Sequence, residues 1–319
     1  RALARSKQNL ADRLVRMVKN TEVICFIDSV VLDEEDFLAA YCIGDDAGVV
    51  MSCAEYFEDA YSPGYVNETE RGLDVYFSEE NEDSIPLLKL YHSSKVGDEW
   101  GTPEELQGFD TQGNDNYPYM LSDGVTLYFA SDGEGSIGGY DLFMSRMDTE
   151  TGRFFRPDHL GMNFNSLAND YMLVINDVVN LGWFATDRNQ PEGKVCVYLF
   201  VPNPERVKYN VDELGYDKVL EFSYIASIAS THTDANAVRN ARRQIMMLLY
   251  EGDMATREGD FLFVIDDVRD YTKLSDFRSE NARNLFSQWR RRCEQLQESI
   301  LDLEQMREEY STATAQRRN

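Results

Sequence analysis

Histidine and cysteine are the side chains that most often carry catalysis or bind metals, and this chain has three histidines and five cysteines. His92 falls in a predicted strand, His159 in a spacer between strands and His232 between predicted helices. None of the three belongs to a metal or nucleophile motif, and no Gly-x-Ser-x-Gly, His-Glu-x-x-His or Walker sequence is present. The sequence therefore predicts a protein without a catalytic centre.

The cysteines indicate neither a zinc site nor a disulfide framework. They are scattered and odd in number, and no Cys-x-x-Cys pair exists among Cys25, Cys42, Cys53, Cys196 and Cys293. One pair among Cys25, Cys42 and Cys53 could form a disulfide in an oxidising compartment. The alternative is that all of them are buried thiols.

An acidic, glycine-rich loop is the best candidate for binding. Asp132, Glu134 and Asp141 alternate with glycines, which favours a turn with a structural role and no cofactor. Calcium is the alternative ligand, although the spacing is not the EF-hand order. The glycines resemble a phosphate-binding loop but lack its lysine and its following helix. The candidate partner-contacting residues on this loop face are Asp132, Glu134, Tyr140, Asp141 and Asp187.

The net charge of −26 limits the choice of partners. Acidic residues number 57 against 31 basic ones, so nucleic acid and anionic lipid surfaces are poor partners. Solubility and turn chemistry are the simplest explanation of this charge. The alternative is an acidic face that receives a cationic partner or calcium.

The sequence contains a repeat that predicts where these residues lie. Asn114-Asp115 is followed by Ala130-Ser131-Asp132, and Asn169-Asp170 is followed by Ala185-Thr186-Asp187, with 55 residues between the two copies. Short aromatic and β-branched strands lie between the anchors, and Ser122-Asp123-Gly124 is a hairpin-turn signal. Units of about 40–55 residues with four short strands are typical of propeller blades.

Residues 72–202 resemble the WD40-like repeats of TolB-type β-propellers, and the Bacteroidota envelope proteins that carry such repeats are the most similar group. The segments that carry the resemblance are Asn114-Asp115-Asn116-Tyr117-Pro118, residues 122–132, Gly138-Gly139-Tyr140-Asp141-Leu142-Phe143, residues 163–166 and Asn169-Asp170. The third copy departs from the pattern, because Lys194-Val195-Cys196-Val197 replaces the Gly-Gly-Tyr-Asp segment.

We therefore predict a mainly β fold with three regions. An N-terminal helix occupies 1–21, and a small or partial WD40-like β-propeller of about four irregular blades occupies 22–208, beginning with a β-hairpin over 22–37. A mostly helical extension occupies 209–319, with a strand near 261–268 that we expect to join the early segment 24–30 in one sheet. The N-terminal helix either packs on the propeller or leads back to a membrane anchor.

The terminal helix, predicted over 279–316, is a candidate docking element. Ser279 is a suitable N-cap, and apolar residues follow at steps of three and four. This seam either packs within the chain or docks on another subunit through Trp289, Leu296, Ile300, Leu303 and Tyr310.

Together these features predict a non-enzymatic scaffold or accessory subunit. The resemblance implies an outer-membrane-associated complex of the bacterial cell envelope, on its periplasmic or surface side, with other envelope proteins as partners. No apolar run approaches 18 residues, so we expect no membrane span. The start at Arg1 fits a removed signal or lipoprotein leader, a truncation or missing residues. A peptide- or glycan-binding propeller module is the alternative function, and a hydrolase or lyase propeller is the third.

Overall fold

This computed structural model describes residues 2–58, 63–81, 85–97, 99–109, 111–203, 205–256, 263–266, 269–271, 273–277, 279–289 and 291–292. The chain forms two compact units, Arg1–Leu249 and Tyr250–Asn319. The first unit contains the main sheets and all of the residues discussed below as a candidate site.

Sixteen strands are found in the described part of the chain, and they bear out the prediction of a mainly β protein. In chain order they are β1 (Cys25–Asp33), β2 (Val49–Ser52), β3 (Tyr65–Glu68), β4 (Asp74–Glu80), β5 (Leu88–Val96), β6 (Glu99–Trp100), β7 (Glu104–Glu105), β8 (Asp115–Met120), β9 (Thr126–Ser131), β10 (Asp141–Arg146), β11 (Asp158–His159), β12 (Asp170–Asn176), β13 (Leu181–Thr186), β14 (Lys194–Val201), β15 (Phe263–Asp266) and β16 (Arg269–Tyr271).

Helices lie at the start and in the last third of the chain. They are α1 (Ala2–Lys19), α2 (Cys53–Tyr56), α3 (Val211–Leu214), α4 (Tyr216–Ser223) and α5 (Ala235–Thr256), with 3₁₀ helices at Glu34–Ala40, Asp45–Ala47, Ala229–Thr231 and Leu274–Asp276. Residues 280–289 are also helical. The predicted N-cap is present there, because Ser279 Oγ accepts the N–H of Ala282 at 3.4 Å.

Three antiparallel sheets follow one another along the chain. The first sheet has the order β2-β3-β4-β5-β6, and β7 also pairs with β5. The second sheet is β8-β9-β10-β11, and the third is β12-β13-β14-β1. None of the sheets in the described residues closes on itself.

Strands β3, β8 and β12, one from each sheet, lie side by side, and polar side chains join them. Asn67 Oδ1 of β3 accepts the N–H of Met120 at 2.9 Å. The hydroxyl of Tyr119 on β8 donates to the carbonyl of Ile175 on β12 at 2.7 Å. A buried backbone group left without a partner would cost about 1–3 kcal/mol, so these bonds hold the sheets in one relative position.

The repeated motif forms the same hydrogen bonds in both copies. Asp132 Oδ1 accepts the Asn114 N–H at 2.7 Å, and Asp132 Oδ2 accepts its side-chain amide at 2.9 Å. Asp187 receives the same two bonds from Asn169, both at 2.7 Å. We call each set an Asn–Asp clamp; it ties the end of a sheet's second strand to the start of its first strand.

Each clamp also reaches the preceding sheet. Asn114 Oδ1 accepts the N–H of Leu88 at 3.0 Å, and Asn169 Oδ1 accepts that of Tyr140 at 3.0 Å. The glycines of the acidic loop allow this close approach, since the Gly139 N–H donates to the carbonyl of Ala168 at 3.0 Å. The repeated asparagine and aspartate residues therefore have a structural role.

The chain start completes the third sheet, which corrects two expectations. Residues 22–37 are not a hairpin: β1 pairs with β14 from Cys25↔Val201 to Asp33↔Lys194, and a 3₁₀ helix follows it. The expected join between 261–268 and the early segment is also wrong for the residues described, because β15 pairs with β16. The eight-residue edge of β14 offers β1 a longer ladder than the four-residue β15 could.

The N-terminal helix packs on the first unit. Val18 is buried and clusters with Met162, Tyr209 and Phe222, and the guanidinium of Arg13 donates to the carbonyl of Ser136 at 3.1 Å. Among the helices in the described residues, none has both the length and the apolar composition needed to cross a bilayer.

Candidate functional site

Three tyrosines from three sheets form a stacked column. Tyr65 opens β3, Tyr117 lies near the start of β8 and Tyr171 near the start of β12. The ring centroids of Tyr65 and Tyr117 are 4.4 Å apart, and those of Tyr117 and Tyr171 are 4.7 Å apart. Interplanar angles of 28° in both pairs make these stacked contacts.

A fourth ring, Tyr140, meets the column edge-on, with its centroid 5.7 Å from that of Tyr117 at 88°. We call Tyr65, Tyr117, Tyr140 and Tyr171 the tyrosine patch. Tyr171 is buried, whereas the other three are only partly buried and reach the surface. The patch lies at the end of the sheets where β3, β8 and β12 begin. The β9–β10 and β13–β14 loops lie at the same end, because neighbouring strands are antiparallel.

A repeated backbone irregularity positions the column. Tyr117 and Met172 have φ of 55° and 51°, in the left-handed region that non-glycine residues rarely adopt. Both lie where the register shifts, between Asn116 and Tyr119 in β8 and between Tyr171 and Val174 in β12. Such a bulge bends the strand and redirects its side chains, so the two strands turn their tyrosines toward one another.

Phe37 supports the column from within. It comes from the 3₁₀ helix Glu34–Ala40 and is buried, with its ring 5.4 Å from Tyr171 at 85° and 5.8 Å from Tyr65. Tyr41, just after this helix, donates its hydroxyl to the carbonyl of Met172 at 2.7 Å. The column therefore rests on a packed aromatic base.

The phenols of the patch stay neutral at physiological pH. Burial raises the pKa of Tyr65, and the negative charge of Glu34 raises it further. Burial also raises the pKa of Tyr171, with Glu34 and Asp187 adding to it. For Tyr140, burial and then the charge of Asp132 raise the pKa to about 12.

The negative charges of Glu34, Asp132 and Asp187 act on the tyrosines of the patch. Glu34 and Asp132 are exposed and Asp187 is partly buried. Neutral aromatic faces beside carboxylates attract a cation, since the face of an aromatic ring is electron-rich. The arrangement can bind a guanidinium or ammonium group.

Some of the predicted loop-face residues have a structural role, and one belongs to the tyrosine patch. Asp132 and Asp187 accept the clamp hydrogen bonds, and Tyr140 belongs to the tyrosine patch. Asp141 is buried and accepts the N–H of Ile137 at 2.6 Å, so it lies apart from the patch. Glu134 is exposed and lines a separate cavity of about 510 Å³ with Arg13 and His159.

The predicted docking helix is described only at its start. Trp289 is 47% exposed, and its ring centroid lies 5.4 Å from that of Phe286. Leu296, Ile300, Leu303 and Tyr310 lie outside the described residues.

His159 has a structural role. Its Nε2 lies 3.0 Å from Asp141 Oδ2, and its Nδ1 accepts the N–H of Gly161 at 3.1 Å. The accepting Nδ1 leaves the proton on Nε2, where it bonds to the carboxylate. Both ring nitrogens are thereby occupied.

His92, Asp74 and Ser94 lie together without the geometry of a hydrolytic triad. Nε2 of His92 and Oγ of Ser94 both approach Asp74 Oδ1, at 2.9 and 2.7 Å. A triad needs the serine and the carboxylate on different nitrogens of the histidine, whereas Ser94 Oγ is nearest the same Nε2, at 3.4 Å.

Metal and disulfide chemistry are not indicated in the residues described. No group of three or more histidine, cysteine, aspartate or glutamate side chains in that part of the chain is placed to hold a metal ion. No disulfide joins Cys25, Cys42, Cys53 and Cys196.

Sequence reasoning missed Tyr65, Tyr117, Tyr171, Phe37 and Glu34 as site residues. A signal was present: Tyr65 and Tyr117 are 52 residues apart, the same interval that relates the first two repeat copies. One strand read alone does not show that three such rings converge.

Comparison with known proteins identified no relative of this chain. The chain matches no protein-family model, and no curated protein or solved structure matches it.

Proposed function

We propose that this chain is a non-enzymatic protein-binding subunit that receives a basic side chain of its partner on the tyrosine patch. The observation that carries the proposal is the stacked column Tyr65–Tyr117–Tyr171, partly exposed and flanked by Glu34 and Asp187. A net charge of −26 would draw a basic partner toward this surface from a distance.

Arginine fits the patch better than other side chains. A guanidinium is planar, stacks on aromatic faces and donates to carboxylates in the same plane. Each cation–π contact contributes about 0.5–1 kcal/mol when exposed and about 2 kcal/mol when desolvated. One inserted arginine would therefore add selectivity to a larger interface.

The test compares two peptides with the full chain. One is a glycine-rich nonapeptide with a single central arginine, and the other carries citrulline, which has the same shape without the charge. We expect the arginine peptide to bind more tightly and to shift the tyrosine ring signals in nuclear magnetic resonance spectra. Equal binding of the two peptides would refute the proposal.

Two pairs of variants locate the binding. Tyr117→Leu removes the central ring, which holds Tyr65 and Tyr171 in one column. We expect the displaced outer rings to lose about one cation–π contact, so that arginine-peptide binding weakens about 2- to 30-fold. Tyr224→Leu removes a tyrosine that is 42% exposed outside the patch and is the control. Glu34→Gln should also weaken binding, and Glu35→Gln, the same change one residue on, should not.

As for architecture, we propose that the three sheets are blades of a partial WD40-like propeller. Each sheet is antiparallel and follows sequence order, except that β1 forms the edge of the third sheet and β7 also pairs with β5. Strands β3, β8 and β12 of adjacent sheets are in contact, as blades require. The Asn–Asp clamps recur at equivalent positions in the second and third sheets. Blade number and closure are part of the proposal.

The cellular location is proposed only from the resemblance to envelope proteins with WD40-like repeats. We propose a scaffold or accessory role in an outer-membrane-associated envelope complex, with the terminal helix after Ser279 holding a second partner. Affinity purification from native membranes, with and without residues 279–319, tests this. Recovery of every partner without that segment would exclude the helix role.

A further inference from the structure

The outer edges of the three sheets differ in length. The first and second sheets end in strands of two residues, β7 and β11, the short edges by which proteins avoid unwanted strand pairing. The third sheet ends in β1, which has nine residues. Val30 and Val31 on β1 are 43% and 51% exposed, on opposite faces of the strand.

One part of this edge is already covered. The hydroxyl of Thr231 accepts the N–H of Phe26 at 3.1 Å, and Nε2 of His232 lies 2.8 Å from the carbonyl of Phe26. A bulge after Phe26 then separates this covered part from a regular ladder over Asp28–Asp33.

The open backbone groups can be assigned from the ladder. Glu34 donates its N–H to the carbonyl of Gly193 at 3.0 Å, so it faces β14. In an antiparallel ladder alternate residues face the partner strand, which turns Ser29, Val31 and Asp33 outward. Asp28 Oδ1 accepts the Ser29 N–H at 2.8 Å. Among the residues that the structure describes, the outward donors left for another strand are those of Val31 and Asp33.

The acidic residues around the edge of β1 determine which partner strand can pair with it. Asp28 and Asp33 bound the ladder, and the chain continues into Glu34, Glu35 and Asp36 on the 3₁₀ helix that carries Phe37. Opposite charges across a strand pair stabilise it, and like charges destabilise it. A second copy, with its own net charge of −26, is therefore a poor occupant.

We propose that the free edge of β1, over Asp28–Asp33, accepts one extended strand of a protein partner whose side chains alternate between basic and β-branched residues. Backbone hydrogen bonds to Val31 and Asp33 would hold the strand, and its basic residues would face the acidic run that leads to the tyrosine patch. This inference deepens the proposed function, because it gives the shape of the partner segment that delivers the basic side chain.

The experiment measures amide hydrogen exchange in the full chain. The probe is a decapeptide that alternates valine and lysine, and its control alternates glycine and lysine, with equal charge and low β propensity. At saturation with the valine peptide we expect the Val31 and Asp33 amides to exchange at least tenfold more slowly. The Val30 and Leu32 amides face β14 and should change little. No slowing at Val31, or equal slowing with the glycine peptide, would overturn the inference.

A pair of variants at one position isolates the backbone donor. Val31→Pro removes the outward N–H without touching the ladder to β14, and we expect at least tenfold weaker binding of the valine peptide. Val31→Thr keeps the N–H and the branched shape and should bind as the wild type does. Equal affinities of the two variants would overturn the inference.

The outcomes separate this inference from the proposed function. If the arginine and citrulline peptides differ while Val31 remains unprotected, the patch binds and the edge does not. If Val31 is protected while those two peptides bind equally, the edge binds strands and the patch proposal fails.

Discussion

Arg188 and Asp170 form the most deeply buried ion pair described in the protein, and breaking it should be costly. Nη2 of Arg188 lies 2.6 Å from Asp170 Oδ1, and the two side chains are 4% and 0% exposed. Ser166 also donates to Asp170 through its N–H and its hydroxyl. Arg188→Met keeps most of the apolar volume but leaves a carboxylate buried without its cation. Such a change costs about 3–5 kcal/mol of unfolding free energy.

The matched control is Lys194→Met. Lys194 pairs with Asp33 at 2.8 Å on the same sheet, with side chains 42% and 63% exposed. Solvent screens such a pair, so its loss should change the unfolding free energy by less than about 1 kcal/mol. Urea unfolding at neutral pH, followed by tryptophan fluorescence, measures both variants.

The pH dependence adds a second check. Burial raises the pKa of Asp170, and Arg188 opposes that rise, so the pKa should be still higher in Arg188→Met. A carboxyl group whose folded pKa exceeds its unfolded value of about 3.9 stabilises the fold when protonated, and this stability is lost as the pH rises through the folded pKa. The deficit of the variant should therefore be largest at neutral pH and shrink as the pH falls toward about 4. A deficit independent of pH, or no larger than that of Lys194→Met, would refute this reasoning.

Three further results are expected. Asn114→Ala and Asn169→Ala should destabilise the chain to a similar extent, about 1–3 kcal/mol each in urea unfolding, because each removes two side-chain hydrogen bonds worth about 0.5–1.5 kcal/mol apiece. Phe37→Ala should cost about 3–5 kcal/mol through the cavity it leaves, and near-ultraviolet circular dichroism should show a weaker tyrosine signal. Since burial and then Asp132 raise the pKa of Tyr140 to about 12, ultraviolet titration of the wild type against Tyr140→Phe should show no ionisation of this residue below pH 11.

Local sequence signals predicted the turn well, and the repeat marked the residues that form the clamps. Ser122-Asp123-Gly124 was predicted as a turn, and Asp123 Oδ1 accepts the N–H groups of Val125 and Thr126 at 2.9 and 2.8 Å, while Gly124 has a φ of 67°. These contacts join residues close in sequence and depend on residue type. The fixed spacing of the repeat then extended the prediction from one copy to the next.

Pairing between distant segments could not be predicted in the same way. The alternation of residues in 25–33 marks a strand but does not name its partner, and β14 lies far along the chain. The acidic run at 33–36 was included in the hairpin predicted over 22–37, whereas it leads into a 3₁₀ helix, Glu34–Ala40. The tyrosine patch could not be predicted for the same reason, because its rings come from segments far apart in sequence: β3, β8, β12 and the loop before β10.

Two of the acidic residues beside the patch serve the fold and the surface charge at once. Asp132 and Asp187 each accept two clamp hydrogen bonds, and their charges raise the pKa of Tyr140 and Tyr171. An asparagine in either place would remove the charge, but its amide nitrogen cannot accept one of the two bonds. Loss of binding in those variants would therefore mix folding with electrostatics. Glu34 lies outside the clamps, so Glu34→Gln changes the field at the patch while leaving the repeat intact, and it is the substitution that measures the contribution of charge to binding.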